Sequence, residues 1–143
     1  MARTLPSYSA LKSYFPAVHA DEVKRQIGGG VNAGWITNAC VIRVSRSLNY
    51  AGHDLPASYP GLLLVKGGDG KRYALRVKEF KRYMTGIYGP PRKSAVAGKA
   101  GIIMFDVRGW SDATGHFDLW NGSKCEYSDY SNQAHEILLW PCP

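Results

Sequence analysis

The sequence lacks any long apolar run. No stretch approaches the roughly 18 consecutive apolar residues that a membrane-spanning helix needs, so no transmembrane segment is predicted. The N-terminal stretch MARTLPSYSALKSYFP also lacks the apolar core of a signal peptide. We therefore expect a product made in the cytoplasm without a signal peptide and with no membrane as its partner.

The sequence is also poor in cysteine. Its Cys and His residues match no zinc-finger spacing, and it has no run of like charges and no internal repeat. The three cysteines are Cys40, Cys125 and Cys142, so at least one stays unpaired in any intramolecular arrangement. Cys125 and Cys142 both lie in the C-terminal region, where they could pair and leave Cys40 as the free thiol.

What the chain has in excess is positive charge. Its 18 Lys and Arg residues against 11 Asp and Glu give a net charge of +7 over 143 residues. A basic surface favours nucleic acid, anionic membranes or acidic cell-wall polymers, and a solvated basic face explains it equally well. An apolar content of 45% argues against disorder, and the length fits one domain, residues 1–143.

Periodicity predicts helices first and strands afterwards. Apolar residues recur at helical spacing in the first part of the chain, and after Gly101 the pattern changes to that of buried and alternating strands. The dipeptide Asn-Gly before residue 123 predicts a β-hairpin. The order indicates an α+β fold. The predicted helices span 7–15, 21–30, 38–51 and 72–84, and the predicted strands 101–107, 115–120, 123–130 and 135–140.

Cys40 lies in the first turn of the third predicted helix. Unpaired N–H groups and the helix dipole at such a position lower the pKa of a thiol and favour the thiolate, which is the nucleophilic form. Cys40 also shares an apolar face with Val44 and Leu48, whereas Arg43 falls on another face, so a purely structural role in the core is the alternative.

A nucleophilic thiol needs a base from elsewhere in the fold. Among the four histidines, His116 is the best placed, because it begins a strand that can pack against the start of the Cys40 helix. A third group should orient the imidazole. Asp118 shares a sheet face with His116, Asp129 lies diagonally across a predicted hairpin, and either may instead be an uncommitted surface carboxylate.

With these pieces, the sequence resembles the type VI secretion amidase effectors of the fourth peptidoglycan-amidase family. The stretch NACVIRVSRSLNYAG is similar to the nucleophile helix of that family, and GIIMF followed by GHFDLWNG is similar to the strands that carry its histidine. The resemblance implies an NlpC/P60-type, papain-like fold, with N-terminal helices packed on an antiparallel sheet. It also implies cleavage of the amide between D-glutamate and meso-diaminopimelate in peptidoglycan stem peptides.

The resemblance implies the site residues as well. Cys40 matches the nucleophile of the family and His116 its base, and no metal or organic cofactor is required. The third member is an aspartate that follows a cysteine in the strand after Asn-Gly. That strand reads CEYSDY here, so Asp129 is preferred to Asp118. Some members bridge two closely spaced cysteines in this strand, whereas Cys125 has only the remote Cys142.

The implied partners are peptidoglycan, the type VI secretion apparatus and a cognate immunity protein in the periplasm. The enzyme would be secreted and act in the periplasm of target cells, with no nucleic acid as partner. Two other functions remain open. One is a basic module that binds nucleic acid or cell wall, with Cys40 structural and Tyr73, Tyr83 and Tyr88 stacking on bases. The other keeps the fold but changes the bond, as in an acyl transferase.

Overall fold

The computed structural model of the chain describes residues 2–93, 96–108 and 115–143. Helices and short strands come first, and a three-stranded sheet follows, which confirms the predicted order of elements. The helices are α1 (Tyr8–Ser13), α2 (Ala20–Ile27), a 3-10 turn (Gly29–Asn32), α3 (Cys40–Tyr50) and α4 (Val77–Tyr88). The strands are β1 (Leu64–Lys66), β2 (Arg72–Ala74), β3 (Gly101–Asp106), β4 (Gly115–Trp120) and β5 (Glu136–Pro141).

The main sheet is antiparallel, with β3 between β4 and β5. Its register places Phe105 opposite His116 and Ile103 opposite Asp118. Because side chains alternate along a strand, His116 and Asp118 emerge from the same face. β1 and β2 form a separate antiparallel pair. A mixed fold with antiparallel sheets is thus confirmed.

Helix α3 is the central element of the core. It packs on β4 and β2, and its face of Cys40, Val44 and Leu48 is buried, as its periodicity predicts. The helix ends before Gly52, which has the positive φ of 89° expected of a glycine that follows a helix C-terminus. The packing of α3 on β4 positions the start of the helix against the strand that carries His116.

The predicted helix over 72–84 is wrong at its beginning. Residues Arg72–Ala74 form β2, which pairs with β1, and the helix begins only at Val77. The Gly-Gly-Asp-Gly turn before β2 reverses the chain, and the Gly67 N–H donates to the carbonyl of Lys71. Pairing with β1 therefore overrides the helical spacing of the apolar residues that follow.

The predicted strand over 123–130 is also wrong. The turn is longer than two residues, since Trp120 bridges Cys125 rather than facing Ser123. Asn121 Oδ1 accepts the N–H groups of Ser123 and Lys124 and so holds a wider turn. Beyond residue 125 the chain leaves the ladder and wraps around Asp118.

Two further expectations concern membranes and disulfides. Within the described ranges, no helix is both long and apolar enough to cross a bilayer. Cys40, Cys125 and Cys142 are all free thiols in this structure. The suggested pairing of Cys125 with Cys142 is therefore not formed.

Candidate active site

Cys40 is the first residue of α3. Its N–H donates to Asn38 Oδ1 at 3.0 Å, so the Asn38 side chain binds one of the backbone N–H groups at the helix start. The residue is only 1% exposed and packs in the main apolar cluster. Its sulfur belongs to the first turn of the helix, where backbone N–H groups lack partners within the helix.

His116 lies on β4 and bridges two side chains. Its Nε2 lies 2.7 Å from Asp118 Oδ2, and the imidazole also hydrogen-bonds the side chain of Cys40. Because Nε2 is engaged by Asp118, Nδ1 is the ring nitrogen that remains available to Cys40. The ring packs between Tyr130 and Phe105, with centroids at 4.7 and 6.3 Å, and is only 6% exposed. Both nitrogens are thus held in place.

The surroundings favour the charged form of His116. Burial by itself lowers the pKa of the imidazole, but the hydrogen bonds and charges of Asp118 and Cys40 outweigh it and raise the pKa to about 9. The imidazolium therefore persists at neutral pH. A buried cation beside a thiol and a carboxylate is the charge arrangement of a cysteine–histidine ion pair.

Asp118 is fully buried, and its carboxylate accepts four hydrogen bonds. Oδ2 accepts from His116 Nε2 and from the Ser128 N–H at 2.9 Å. Oδ1 accepts from the N–H groups of Leu119 and Tyr127 at 2.8 and 3.1 Å. These backbone donors pay for burying the charge and draw the segment after Cys125 out of the predicted ladder.

Asp129 does not occupy the predicted place beside His116. It is exposed, and its Oδ1 accepts the N–H of Ser131 at 2.7 Å in a local turn. The contact with the imidazole belongs to Asp118, so the preferred position of the third group is corrected. The physical reason is the wrapping of residues 126–128 around Asp118, which replaces the straight strand on which the position of Asp129 was predicted.

Arg43 is a buried cation next to these three residues. It follows Cys40 by three positions and is only 4% exposed. Nη2 and Nε donate to the carbonyl of Val18 at 2.9 and 3.2 Å, and the guanidinium carbon lies 3.7 Å from the ring centroid of Tyr127. Burial lowers the pKa of Arg43, while the nearby Tyr127, Cys40 and Asp118 act in the opposite direction.

Sequence reasoning missed Arg43 and Tyr127 as parts of the site. Arg43 links the segment before α2 to the loop that holds Asp118, because its partner Tyr127 donates its own N–H to Asp118. The signal was present, since residues three apart lie on the same side of a helix. The pattern of apolar residues instead predicted this arginine on another face of the helix than Cys40.

The aromatic residues proposed to stack on bases are not displayed for that purpose. Tyr73 is buried and donates its hydroxyl hydrogen to Asp69, and Tyr83 is buried against Phe80 and Tyr59. Tyr88 is half-buried and its hydroxyl contacts His53 Nδ1 at 2.8 Å. These three rings therefore provide no exposed platform on which bases could stack.

Comparison with known proteins identifies the family to which the chain is similar. Residues 36–140 match the family model described as type VI secretion system (T6SS), amidase effector protein 4. Comparison with curated protein sequences finds no match.

Solved structures extend the match over the whole chain. The type VI effector Tae4 from Enterobacter cloacae is 34% identical, with 100% of both chains covered and a TM-score of 0.87. The Tae4–Tai4 effector–immunity complex from Salmonella Typhimurium gives 32% identity and a TM-score of 0.87, covering 96% of this chain and 99% of that one. A Tae4–Tai4 complex from Enterobacter cloacae gives 33% and 0.85, with the same coverage. The chain therefore belongs to the type VI secretion system amidase effector protein 4 family.

Proposed function

We propose that this amidase effector is a cysteine hydrolase. It cleaves the amide between D-glutamate and meso-diaminopimelate in peptidoglycan stem peptides. The observation that carries the proposal is the continuous contact from Cys40, at a helix start, through His116 to the buried Asp118. The finer fold assignment, papain-like and of the NlpC/P60 type, is part of the same proposal, since in such folds a helix presents the thiol to a histidine on a sheet.

In the first half of the reaction, the Cys40 thiolate attacks the D-glutamyl carbonyl carbon. The carbonyl π electrons move to oxygen and form a tetrahedral oxyanion. When the C–N bond breaks, the imidazolium of His116 gives its Nδ1 proton to the departing amine of diaminopimelate. The products are a thioester on Cys40 and the free amine.

In the second half, neutral His116 takes a proton from water as the water attacks the thioester carbonyl. Collapse of the second tetrahedral intermediate expels the sulfur and releases the stem fragment that ends in the D-glutamyl γ-carboxylic acid, which then ionises in water. The Cys40 thiolate is regenerated beside the imidazolium. Protons and electrons balance within the residue pair and one water molecule.

Asp118 is the group that we propose to orient His116, in place of Asp129. A carboxylate on Nε2 fixes the tautomer that leaves Nδ1 facing the thiol and stabilises the imidazolium. The three backbone donors on Asp118 hold this carboxylate in a single position. Asp118 therefore acts through His116 and does not touch the substrate.

The oxyanion needs donors that are free at the moment of attack. The N–H of Cys40, at the helix start, is one candidate donor, but it donates to Asn38 Oδ1 in this structure. We infer that the Asn38 side chain rotates away when substrate binds and releases this N–H for the oxyanion.

The biological setting belongs to the same proposal. As a type VI effector, the chain would pass through that secretion apparatus and attack peptidoglycan in the periplasm of target cells. A cognate immunity protein would block it in the producer, because relatives have been solved as complexes of Tae4 with Tai4.

The test is a digest of Gram-negative sacculi by the purified chain, with the released muropeptides identified by mass spectrometry. After a muramidase has cut the glycan strands, the wild-type digest should contain disaccharide dipeptides and diaminopimelyl peptides with a new free amine. The Cys40→Ala digest should contain neither product of this cleavage. If wild type leaves this amide intact, or if Cys40→Ala cleaves it equally well, the proposal fails. Products that carry a new acyl acceptor instead of water would identify a transferase.

A further inference from the structure

A cleft opens directly beside the start of α3. It has a volume of about 230 Å³. It touches the site through Asn38, whose Oδ1 accepts the N–H of Cys40. Asn38, two residues before Cys40, is thus common to the cleft and to the helix start. The lining residues are Trp35, Ile36, Thr37, Asn38, Leu75 and Arg76.

The base and the wall of the cleft differ in character. Ile36 and Leu75 are buried and supply an apolar base, whereas Trp35 is 62% exposed. A tryptophan is rarely left so exposed in a soluble chain, since its ring buries a large apolar area when covered. An indole standing free beside a nucleophile is placed to cover the aliphatic part of a peptide.

Arg76 supplies a positive charge at the other side of the cleft. Its side chain is 62% exposed, and its Nη1 lies 3.3 Å from Glu79 Oε2. Glu79 is itself fixed, because its Oε1 accepts the N–H of Leu63 at 2.8 Å. A guanidinium has five N–H donors in a rigid fork, so one edge can be oriented by Glu79 while another binds a carboxylate.

We propose that this cleft is a substrate subsite. Arg76 pairs there with a free carboxylate next to the scissile amide, and Trp35 covers the adjoining aliphatic chain. The proposal rests on the proposed function. A γ-linked D-glutamyl residue keeps its α-carboxylate, and diaminopimelate carries carboxylates on the amine side of the bond. The D-glutamyl and diaminopimelyl carboxylates are both anions that lie a few bonds from the attacked carbonyl, so either could pair with Arg76.

The test compares stem tripeptides that differ in one group. One carries all its carboxylates, one has the D-glutamyl α-carboxylate converted to a carboxamide, and one has a diaminopimelyl carboxylate so converted. Wild type should lose roughly ten- to a hundredfold in kcat/KM on one amidated peptide, the range expected for a charge-assisted hydrogen bond. The amidated peptide on which kcat/KM falls identifies the carboxylate that Arg76 binds.

The variants then assign the effect to the cleft. Arg76→Gln should lower kcat/KM on the free acid by a similar factor and should cleave the acid and the amide almost equally. Lys78→Gln is the matched control, since Lys78 is an exposed cation on the same helix that does not line the cleft, and it should keep the preference. Trp35→Ala should weaken binding of the free-acid peptide to Cys40→Ala protein several-fold, and Trp35→Phe should restore most of it.

The two levels of the proposal fail in different ways. If wild type cleaves no stem peptide, the proposed function is wrong. If wild type cleaves them but Arg76→Gln keeps the full preference, or Trp35→Ala binds normally, the subsite is wrong and the cysteine hydrolase stands. Variants that cleave normally but bind a cognate immunity protein more weakly would also overturn it, since the cleft would then be a partner surface.

Discussion

His116 Nε2 and Asp118 Oδ2 lie 2.7 Å apart on one face of one strand, two residues from each other. Three backbone N–H groups also donate to this carboxylate, one from the next residue on the strand and two from the loop at residues 127 and 128. The orienting group of the site is therefore also the group that shapes the loop behind it.

Asp118→Asn should nearly abolish amide cleavage. The new amide nitrogen would donate to His116 Nε2, force the proton onto Nδ1, and turn Nδ1 from a base into a donor. Loss of the orienting carboxylate from such a constellation costs about 10⁴ in kcat. Muropeptide release measured against wild type checks this. Asp129→Asn is the control, because that carboxylate is exposed, and we expect it to stay within roughly threefold of wild type. The reverse pattern would assign the orienting role to Asp129.

Asp118→Ala should also destabilise the fold. It leaves the N–H groups of Leu119, Tyr127 and Ser128 without their acceptor, at about 1–3 kcal/mol for each one that stays buried. Urea unfolding should show that the free energy of unfolding of Asp118→Ala is several kcal/mol below that of wild type. Asp129→Ala removes only an exposed turn contact and should cost less than about 1 kcal/mol. Equal losses in the two variants would contradict the four-bond description of Asp118.

His116 should titrate near pH 9 when its ring nitrogens are followed by NMR. A pKa raised on folding stabilises the native state below the ordinary value of 6.5, and this contribution disappears as the pH rises through about 9. Unfolding free energy should therefore fall more steeply between these two values in wild type than in His116→Gln. His53 is an internal comparison, since burial and then the charge of Arg3 lower its pKa. A His116 midpoint below 6.5 would refute the ion pair.

The three thiols should react differently with an alkylating reagent. Burial raises the pKa of Cys125 and raises that of Cys142 to about 11, so both should remain protonated and slow near neutral pH. Any fast phase should disappear in Cys40→Ala and persist in Cys125→Ala. Denatured protein without reductant should show three free thiols, and a count of one would mean that Cys125 and Cys142 are bridged.

Arg43→Met should lower activity more than Arg46→Met, although both arginines lie on α3. Arg43 holds the Val18 carbonyl and the Tyr127 ring, whose own N–H binds Asp118, whereas Arg46 lies 4.9 Å over the ring of Tyr50. We expect a destabilisation of about 1–3 kcal/mol and a drop in kcat with little change in KM, because the substrate does not reach Arg43. A change confined to KM would instead place Arg43 in contact with substrate.

The positions of Cys40 and His116 in the fold were predictable because local signals placed both residues. The apolar face of α3 and its glycine stop fixed Cys40 at a helix start, and the buried pattern of β3 and β4 fixed His116 on a strand. The resemblance of both segments to the effector family then linked them. Each step used only residues that are close in sequence.

The third group and the supporting cation depended on contacts that periodicity does not record. The buried carboxylate of Asp118 is held beside His116 by the backbone N–H groups of residues 127 and 128. These residues lie in a loop and not in the predicted strand, so the strand pattern does not reveal the contact. The role of Arg43 was not visible in the sequence, because its acceptor, the carbonyl of Val18, lies 25 residues away. Similarly, β2 formed because of its pairing with β1.

The wrapping of residues 126–128 around Asp118 determines which substitution can inactivate this effector without unfolding it. A substitution of Asp118 removes both the contact with His116 and the acceptor of three backbone N–H groups, and so yields a less stable chain. Replacing the Cys40 sulfur deletes one atom from a well-packed position and leaves every contact of the carboxylate intact. Cys40→Ala is therefore the substitution with which to trap an uncleaved stem peptide in an otherwise native groove.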